Sequence, residues 1–275
     1  MPAGCGGSRP AGGVPATPDD VPNLCDMTDR GHVRVEHGHK RVRTYLGGEL
    51  VADTICPLLV WEIPYFPAYY IPAEDVRTEL LTESGKTEHS PSRGEATYFN
   101  LKTDRAEAPN AAWRYPNSPF EELRGAIRIE WEAMDAWFEE DEQVYVHPRD
   151  PYSRVDVLRS SRHVEVGIGG TKVADSVRPV LLFETGLPVR YYLPKTDVRL
   201  ELLSPSTTTT RCPYKGTAEY YSVTVDGRSY EDIVWWYRHP AQESAGIAGL
   251  VSFYNERVDI TLDGVPLERP VTHFS

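Results

Sequence analysis

Short alternations of apolar and polar residues run through the chain from Val42 onward, and they predict β-strands. The clearest example lies near the C-terminal end, where Val258, Ile260 and Leu262 alternate with polar residues before an Asp-Gly pair. A period of two places the apolar side chains on one face of a strand, and Asp-Gly favours a hairpin turn. We therefore expect antiparallel sheets with one buried face.

Other segments support a mainly β fold with little helix. Gly47–Gly48 lies between two strand-like segments, and Gly167–Lys172 imitates a phosphate-binding loop but has strands on both sides, so both predict hairpin turns. The polar segment 82–93 is expected to be a loop. Ser118–Glu121 has a helix-start signature, and the helix it predicts is short because Gly125 ends it.

The two halves of the chain share a sequence repeat. Val51-Ala52-Asp53 recurs 122 positions later as Val173-Ala174-Asp175, and Tyr69–Pro72 recurs at the same offset as Tyr191–Pro194. Chance does not hold one register across so many positions. The chain is therefore interpreted as a tandem duplication of a domain-sized unit.

Near the end of each copy the offset becomes 124, which pairs Met134-Asp135 with Val258-Asp259. By that correspondence Met134, Ala136 and Phe138 should form the buried face of their strand. The same face in the second copy carries the apolar residues of the alternation described above.

The duplication predicts the domain organisation. We expect a disordered Gly- and Pro-rich tail at residues 1–30, a first β domain at 31–148 and a second at 149–275. Many short strands with almost no helix indicate that each domain closes as a barrel or a sandwich. Because the two copies can imitate a homodimer, we expect a monomer with two pseudo-symmetric domains.

Charge and composition limit the classes of partner that the protein is expected to bind. The formal net charge of −12 disfavours binding to nucleic acid or to anionic membranes, and no apolar run is long enough to span a bilayer. The four cysteines form no Cys-x-x-Cys pair, which disfavours structural zinc and thioredoxin-like chemistry. Without a visible signal peptide we expect a reduced, cytoplasmic protein. We predict neither a metal nor a cofactor.

The densest group of reactive side chains lies at Thr207–Gly216. Cys212, Tyr214 and Lys215 occur within four residues, and Lys215 is near enough to favour the thiolate of Cys212. Cys212, Lys215 and Tyr214 are therefore the catalytic candidates, with a packed, unreactive cysteine as the alternative.

The same segment suggests anion binding. A loop that carries Lys215 and ends at Gly216 can hold an anion through backbone N–H groups and an ammonium, and Arg93-Gly94 would do the same in the first copy. The four threonines that precede Arg211 either extend this polar cradle or form a solvated loop.

Several residues outside this segment are further ligand-binding candidates. Glu184 follows an apolar run, as Glu62 does in the first copy, and an acid at the end of a buried strand is a site candidate. Arg257 and Asp259 share a strand face, either as an ion pair that fixes the sheet or with the arginine orienting a substrate. The aromatic candidates for lining a pocket, most of which are expected to be core residues, are Tyr191, Tyr192, Tyr220, Trp235 and Trp236. Tyr192, Tyr220 and Trp236 are the three taken as ligand-binding candidates.

The motifs of the second copy resemble a known family. Val-Ala-Asp-Ser at 173–176, Tyr-Tyr-Leu-Pro at 191–194 and Cys-Pro-Tyr-Lys-Gly at 212–216 are similar to the family called domain of unknown function 427, also labelled nucleotidyltransferase-like. The resemblance covers nearly all of residues 35–270 as two copies. It implies a small antiparallel β domain of barrel or tent-like shape.

The resemblance also implies a particular site. The family commonly has His before the cysteine, whereas Arg211 stands there in this sequence and His89 holds that place in the first copy, where Ser90 replaces the thiol. A composite site with residues from both copies, including His89 and Arg93, is one expectation from this pattern.

Three functional hypotheses follow. The leading one is a protein that binds a small polar or anionic molecule near Cys212–Gly216 and, in its stronger form, transforms it through the thiol. The second is a ligand-binding or protein-interaction module without catalysis. The third is a nucleotidyltransferase, which would need carboxylates converging on Mg²⁺, and no such motif is evident.

Overall fold

The structure is a computed structural model that describes residues 33–272, so the predicted tail at 1–30 lies outside the described residues. Contacts divide the chain between Pro148 and Arg149 into two compact units, called unit 1 and unit 2. Regular structure is almost entirely antiparallel β with short 3₁₀ helices, which confirms the predicted fold class. Within the described range, no helix has the length and apolar content needed to cross a bilayer.

Unit 1 contains eleven strands among its described residues. They are β1 Arg34–His37, β2 Val42–Leu46, β3 Glu49–Thr54, β4 Leu58–Trp61, β5 Ala68–Pro72, β6 Leu81–Ser90, β7 Gly94–Lys102, β8 Glu107–Arg114, β9 Ala126–Ile129, β10 Ala136–Glu139 and β11 Glu142–Val144. Its 3₁₀ helices are Ala73–Asp75, Thr78–Leu80 and Glu121–Leu123.

Unit 2 repeats this series. Its strands are β12 Val155–Arg159, β13 Val164–Ile168, β14 Thr171–Ser176, β15 Val180–Glu184, β16 Arg190–Leu193, β17 Leu203–Cys212, β18 Gly216–Val225, β19 Arg228–Tyr237, β20 Val251–Phe253, β21 Asp259–Leu262 and β22 Val265–Pro266. Its 3₁₀ helices are Lys195–Asp197, Leu200–Leu202 and Gln242–Ile247.

Each unit has one seven-stranded and one four-stranded sheet. The large sheets run β1-β4-β5-β9-β8-β7-β6 and β12-β15-β16-β20-β19-β18-β17, and the small sheets run β11-β10-β2-β3 and β14-β13-β21-β22. The two units therefore share one topology, as the duplication predicts. Across residues 33–272 no sheet closes on itself, so of the two predicted forms, a barrel or a sandwich, the closed barrel is not found.

The glycine hairpins are confirmed, whereas two polar segments were misassigned. Gly169 and Gly170 have φ of 57° and 82° and join β13 to β14, as the glycine pair predicted. The expected loop at 82–93 is mostly strand β6, whose side chains are largely exposed and so carry no alternation. Thr207–Cys212 likewise belongs to an exposed strand, β17, rather than to a loop. The predicted helix after Ser118 is a single 3₁₀ turn.

The alternation predicted near the end of each copy is confirmed in unit 2 and wrong in unit 1. In β21 the apolar residues are buried, and Met134 of unit 1 is buried as predicted. Strand β10, however, buries Trp137 and Glu139 instead of Ala136 and Phe138.

The strand register explains this exchange of faces. Trp137 pairs with Thr44 in β2, and Ile260 pairs with Val166 in β13. Val166 lies 122 positions after Thr44, whereas Ile260 lies 123 positions after Trp137. The true offset is one less than the 124 that the sequence suggested, and a slip of one residue moves every side chain to the other face.

The large sheet of each unit has apolar side chains on both faces. One face packs against the small sheet, and in unit 1 this core joins Val42 and Val51 of the small sheet to Ile71 and Leu101 of the large one. The opposite face is rich in rings, and we call it the aromatic face. It carries Tyr70, Tyr98, Trp113 and Tyr115 in unit 1, and Tyr192, Tyr220, Trp235 and Tyr237 in unit 2.

Candidate functional site

Four side chains form a row across the aromatic face of unit 2. Tyr220 pairs with Trp235, Trp235 with Ser252, and Ser252 with Tyr192, on four neighbouring strands. Residues that are directly opposite in antiparallel strands share a face, so the four side chains are neighbours. The Trp235 indole N–H donates to the Tyr192 hydroxyl at 3.0 Å, which fixes the centre of the row.

The Cys212–Gly216 segment is a hairpin turn that overhangs this face. Cys212 pairs with Gly216, and three residues form the turn between β17 and β18. Gly216 has φ of 96°, and a Cβ there would lie 3.2 Å from the His239 carbonyl oxygen, so the turn requires glycine. The Ala241 N–H donates to the Lys215 carbonyl at 3.1 Å and anchors the turn.

Lys215 donates from this turn to the carboxylate of Glu184, at the end of β15. Three strands separate β15 from β18 in the sheet, and four spacings of about 4.8 Å would put them roughly 19 Å apart if the sheet were flat. The contact therefore requires that the sheet curves over its aromatic face. The two side chains are 13% and 8% exposed, so this is a nearly buried ion pair.

Cys212 carries a free, partly buried thiol beside these groups. Burial raises the pKa of the Tyr192 hydroxyl, and negative charge on Glu184 and Cys212 raises it further. The pKa of Tyr237 is raised by burial and by the same neighbours. Both phenols therefore stay protonated at neutral pH and can donate hydrogen bonds next to the thiol.

Tyr214, the third catalytic candidate, has a different environment. Its hydroxyl accepts a hydrogen bond from the Asp150 N–H at 2.8 Å, and burial raises its pKa. The ring is buried as part of the turn. Tyr214 therefore anchors the turn to the start of unit 2.

A second buried ion pair lies beside the row and was missed by sequence reasoning. The Arg190 guanidinium donates two hydrogen bonds to Glu256, both at 2.7 Å, and lies over the Trp235 ring at 5.5 Å from its centroid. Burial opposes ionisation of Glu256, but hydrogen bonds from Arg190 and Thr272 lower its pKa to about 2. An arginine inside an apolar strand segment was the signal that could have revealed this pair.

Ser252, in the middle of the row, is an unpartnered buried hydroxyl. Its side chain is fully buried, and among the described residues its Oγ has no hydrogen-bond partner. Buried polar groups are nearly always paired, so an orphan hydroxyl on this face indicates a place for a ligand atom or a water molecule.

Unit 1 has an equivalent cluster without the thiol. Glu62 accepts a hydrogen bond from the Tyr70 hydroxyl at 2.5 Å and lies 3.1 Å from Nη1 of Arg93, which replaces Lys215. Ser90 stands in the place of Cys212, and its Oγ lies 3.4 Å from that of Ser92. A buried carboxylate paired with a cation from the hairpin turn is therefore common to both units.

Comparison with protein families agrees with the duplication. The family model described as Domain of unknown function (DUF427) matches residues 34–140 and again residues 156–264. These two matches cover most of the chain. The chain belongs to the DUF427 family. The resemblance inferred from the motifs is thereby confirmed, and no curated protein sequence matches the chain.

In both DUF427 copies an arginine lies over the equivalent tryptophan, but the arginine comes from a different sequence position in each copy. In unit 1 Arg128 lies 4.8 Å from the Trp113 ring, and its counterpart in the row of unit 2 is Ser252. In unit 2 the guanidinium comes from Arg190, whose counterpart in unit 1 is Ala68. Both copies therefore keep a guanidinium over this ring, although it comes from a different strand in each copy.

Several predicted ligand-binding residues lie away from this DUF427 cluster. Trp236 points to the other face of the sheet, where Lys195 Nζ is 3.3 Å from the centroid of its ring. Arg211 is exposed next to Cys212. His89 is exposed on β6 of unit 1, so the composite site that would use it stays a prediction.

The predicted pairing of Arg257 with Asp259 is wrong. Arg257 lies in a turn before β21 and stacks over Tyr254 at 5.2 Å, while Asp259 pairs with Arg269 at 2.6 Å. A strand was needed to put the two on one face, and the strand begins only at Asp259.

Among the residues that the structure describes, one group of side chains lies close enough together to hold a metal ion. It consists of Glu165 and Asp175 on the small sheet of unit 2 and His163, just before β13. The Lys172 ammonium already binds both of their carboxylates. This arrangement adds nothing to the nucleotidyltransferase hypothesis, which stays a prediction.

Proposed function

We propose that unit 2 binds a small polar or anionic molecule at the Lys215–Glu184 ion pair, beside Cys212 on the aromatic face. The observation that carries the proposal is the presence of the same kind of buried pair in both units, with Arg93 and Glu62 in unit 1. A buried ion pair adds little net stability compared with well-packed apolar residues. Recognition of a ligand explains why both copies keep one.

The groups around the pair suit a ligand that accepts hydrogen bonds. Among the described residues Lys215 bonds to Glu184, which uses one of the three N–H donors of its ammonium. The Ser252 hydroxyl is unpartnered, and the protonated Tyr237 and Tyr192 lie on the same face. A carboxylate, a phosphate or a polar carbonyl compound is the ligand class that these donors recognise.

Catalysis at this site would require the thiol of Cys212, whereas binding would not. A thiol beside an ammonium and protonated phenols is suited to attack an electrophilic carbon held by those donors. Unit 1 has Ser90 at this position and retains the ion pair, so the ion pair, and not the thiol, is the feature that both copies share. This observation favours a ligand-binding module without catalysis as the second candidate function. In the first candidate function, any chemistry belongs to unit 2, which has the thiol.

Protection of Cys212 from alkylation tests the proposal. The rate of carbamidomethylation by iodoacetamide is measured on the Cys212 peptide by mass spectrometry, at constant ionic strength, with acetate, inorganic phosphate or sodium chloride present. We expect acetate or phosphate to slow alkylation in the wild type and to lose that effect in the double variant Glu184→Leu/Lys215→Met. Arg211→Gln, which removes a charge next to the thiol on the exposed side, is the matched control and should retain protection.

Two outcomes would refute the proposal. One is alkylation that neither anion slows beyond the chloride control. The other is protection that persists unchanged in the double variant, since the anion would then bind somewhere else.

A further inference from the structure

Unit 1 has an excess of buried positive charge that unit 2 lacks. The carboxylate of Glu62 lies between two guanidinium groups, with Nη1 of Arg93 3.1 Å from one oxygen and Nε of Arg128 3.7 Å from the other. The arginine side chains are only 17% and 15% exposed. One carboxylate therefore faces two cations, which leaves a net charge of about +1 in a poorly solvated place.

Both arginines also have unused donors. The Nε atoms of Arg93 and Arg128 are buried and, within the described chain, have no hydrogen-bond partner. The 3.7 Å separation between Arg128 Nε and Glu62 is too long for a hydrogen bond. Buried donors are nearly always paired because an unpaired one loses its bonds to water, so two on neighbouring cations call for an acceptor.

The Tyr70 hydroxyl does not supply that acceptor. It is itself the donor of a hydrogen bond to Glu62 at 2.5 Å. Burial and the negative charge of Glu62 raise the pKa of Tyr70, so the phenol remains neutral. The Tyr115 and Trp113 rings lie under Arg93 and Arg128 at 5.3 Å and 4.8 Å, where they orient the guanidinium planes. Nη1 of Arg93 is held by Glu62, and Nη1 of Arg128 donates to the Ile129 carbonyl at 2.7 Å. The cluster thus holds two preoriented guanidinium groups with free Nε donors, and guanidinium groups recognise carboxylate and phosphate.

Unit 2 provides the comparison. There Arg190 is neutralised by two hydrogen bonds to Glu256, and Lys215 is neutralised by Glu184. The position of Arg128 is taken by Ser252. The excess charge is therefore a property of unit 1 alone and does not follow from the shared fold.

We infer that unit 1 contains a separate site for a small oxyanion, a carboxylate or a phosphate group, held between Arg93 and Arg128 on the aromatic face. The anion would accept from the two free Nε donors and balance the charge that Glu62 leaves uncompensated. This inference does not depend on the thiol or on the ligand proposed for unit 2.

Arginine side-chain NMR of the full chain tests this site directly. The Nε–H resonances are recorded on [¹⁵N]arginine-labelled protein during titration with inorganic phosphate or with acetate, against sodium chloride at equal ionic strength. We expect saturable shifts of the Arg93 and Arg128 resonances, and none for Arg190, whose guanidinium is already paired. A response to phosphate alone, to acetate alone or to both identifies the anion class.

Two variants take their residues from unit 2. Arg128→Ser, read through the Arg93 resonance, should weaken anion binding by about 10-fold or more, because a charge-assisted hydrogen bond is lost. Arg93→Lys keeps the positive charge but removes the Nε donor. If Arg128→Ser does not fold, weaker anion binding can be measured in Arg93→Lys through the Nε–H resonance of Arg128. Absence of saturable shifts in the wild type, or binding that is unchanged in both variants, would overturn the inference.

Discussion

The Lys215–Glu184 pair should be dispensable for stability when both partners are replaced together. The side chains are 13% and 8% exposed, so the double variant Glu184→Leu/Lys215→Met exchanges a nearly buried ion pair for apolar residues of similar size. Removing such pairs together is typically neutral or stabilising by about 1–4 kcal/mol, since the desolvation cost of two charges disappears. We expect the double variant to be at least as stable as the wild type.

Each single variant should behave differently. Lys215→Met leaves the Glu184 carboxylate nearly buried without its cation, which costs about 3–5 kcal/mol at neutral pH. Burial raises the pKa of an unpaired carboxyl above its value in the unfolded chain, so the native state then takes up a proton more readily. The destabilisation should therefore be largest at pH 8 and should shrink as the pH falls toward 5.

Equilibrium urea unfolding followed by circular dichroism measures these differences, with the four proteins of the double-mutant cycle compared at pH 8 and pH 5. We expect a coupling energy of about 3 kcal/mol or more. The exposed pair Arg238–Glu219, with side chains 61% and 36% exposed, is the control and should show a coupling below about 1 kcal/mol. If the double variant loses as much stability as the two single variants together, the ion pair stabilises the curved sheet. The prediction that the pair is dispensable for stability would then be refuted.

Three further variants test the surrounding structure. Gly216→Ala should cost about 1–3 kcal/mol and more than Gly227→Ala, because both have positive φ but only Gly216 has backbone within 4 Å of the new Cβ. Tyr192→Phe should cost about 1–3 kcal/mol in urea unfolding, since it strands the Trp235 indole N–H. Ionised Glu256 contributes stability that is complete above about pH 4.5 and lost as the pH falls toward 2, so Glu256→Gln should flatten that part of the acid-unfolding profile.

The overall fold was largely predictable because its signals are local or repeated. The glycine pairs identified the hairpins, and the offset of 122 identified the duplication. The choice between a closed barrel and two open, packed sheets was not predictable, because the pairing of edge strands leaves no pattern in the sequence. The strand β6 was missed because almost all of its side chains are exposed.

Sequence reasoning identified a site residue only where a reactive or aromatic side chain also lay near the end of a predicted strand. Cys212, Lys215, Glu184 and the tyrosines of the row were identified as reactive or aromatic residues near strand ends. Trp235 and Trp236 were both aromatic candidates, and only Trp235 is a member of the row, because the pairing with Tyr220 decides which of the two adjacent residues faces the cluster. A register shift between Tyr221 and Val223 makes this pairing unreadable from alternation.

Arg190, Glu256 and Ser252 were missed for a related reason. Each belongs to the cluster through a contact with a residue that is distant in sequence, such as the 66 positions between Arg190 and Glu256. A buried ion pair of this kind depends on the register of strands that the sequence does not specify.

The central claim, that Lys215 presents donors to an anionic or polar molecule beside Cys212, is tested most directly by the selectivity of the thiol. Iodoacetate and iodoacetamide alkylate the same sulfur and differ in charge, so the ratio of their rates at Cys212 reports attraction of an anion. The Glu184→Leu/Lys215→Met variant removes one charge of each sign and leaves the net charge unchanged. We predict that the ratio falls by roughly 3- to 10-fold in this variant, as expected from losing about 1 kcal/mol of charge-assisted bonding. An unchanged ratio would contradict the account.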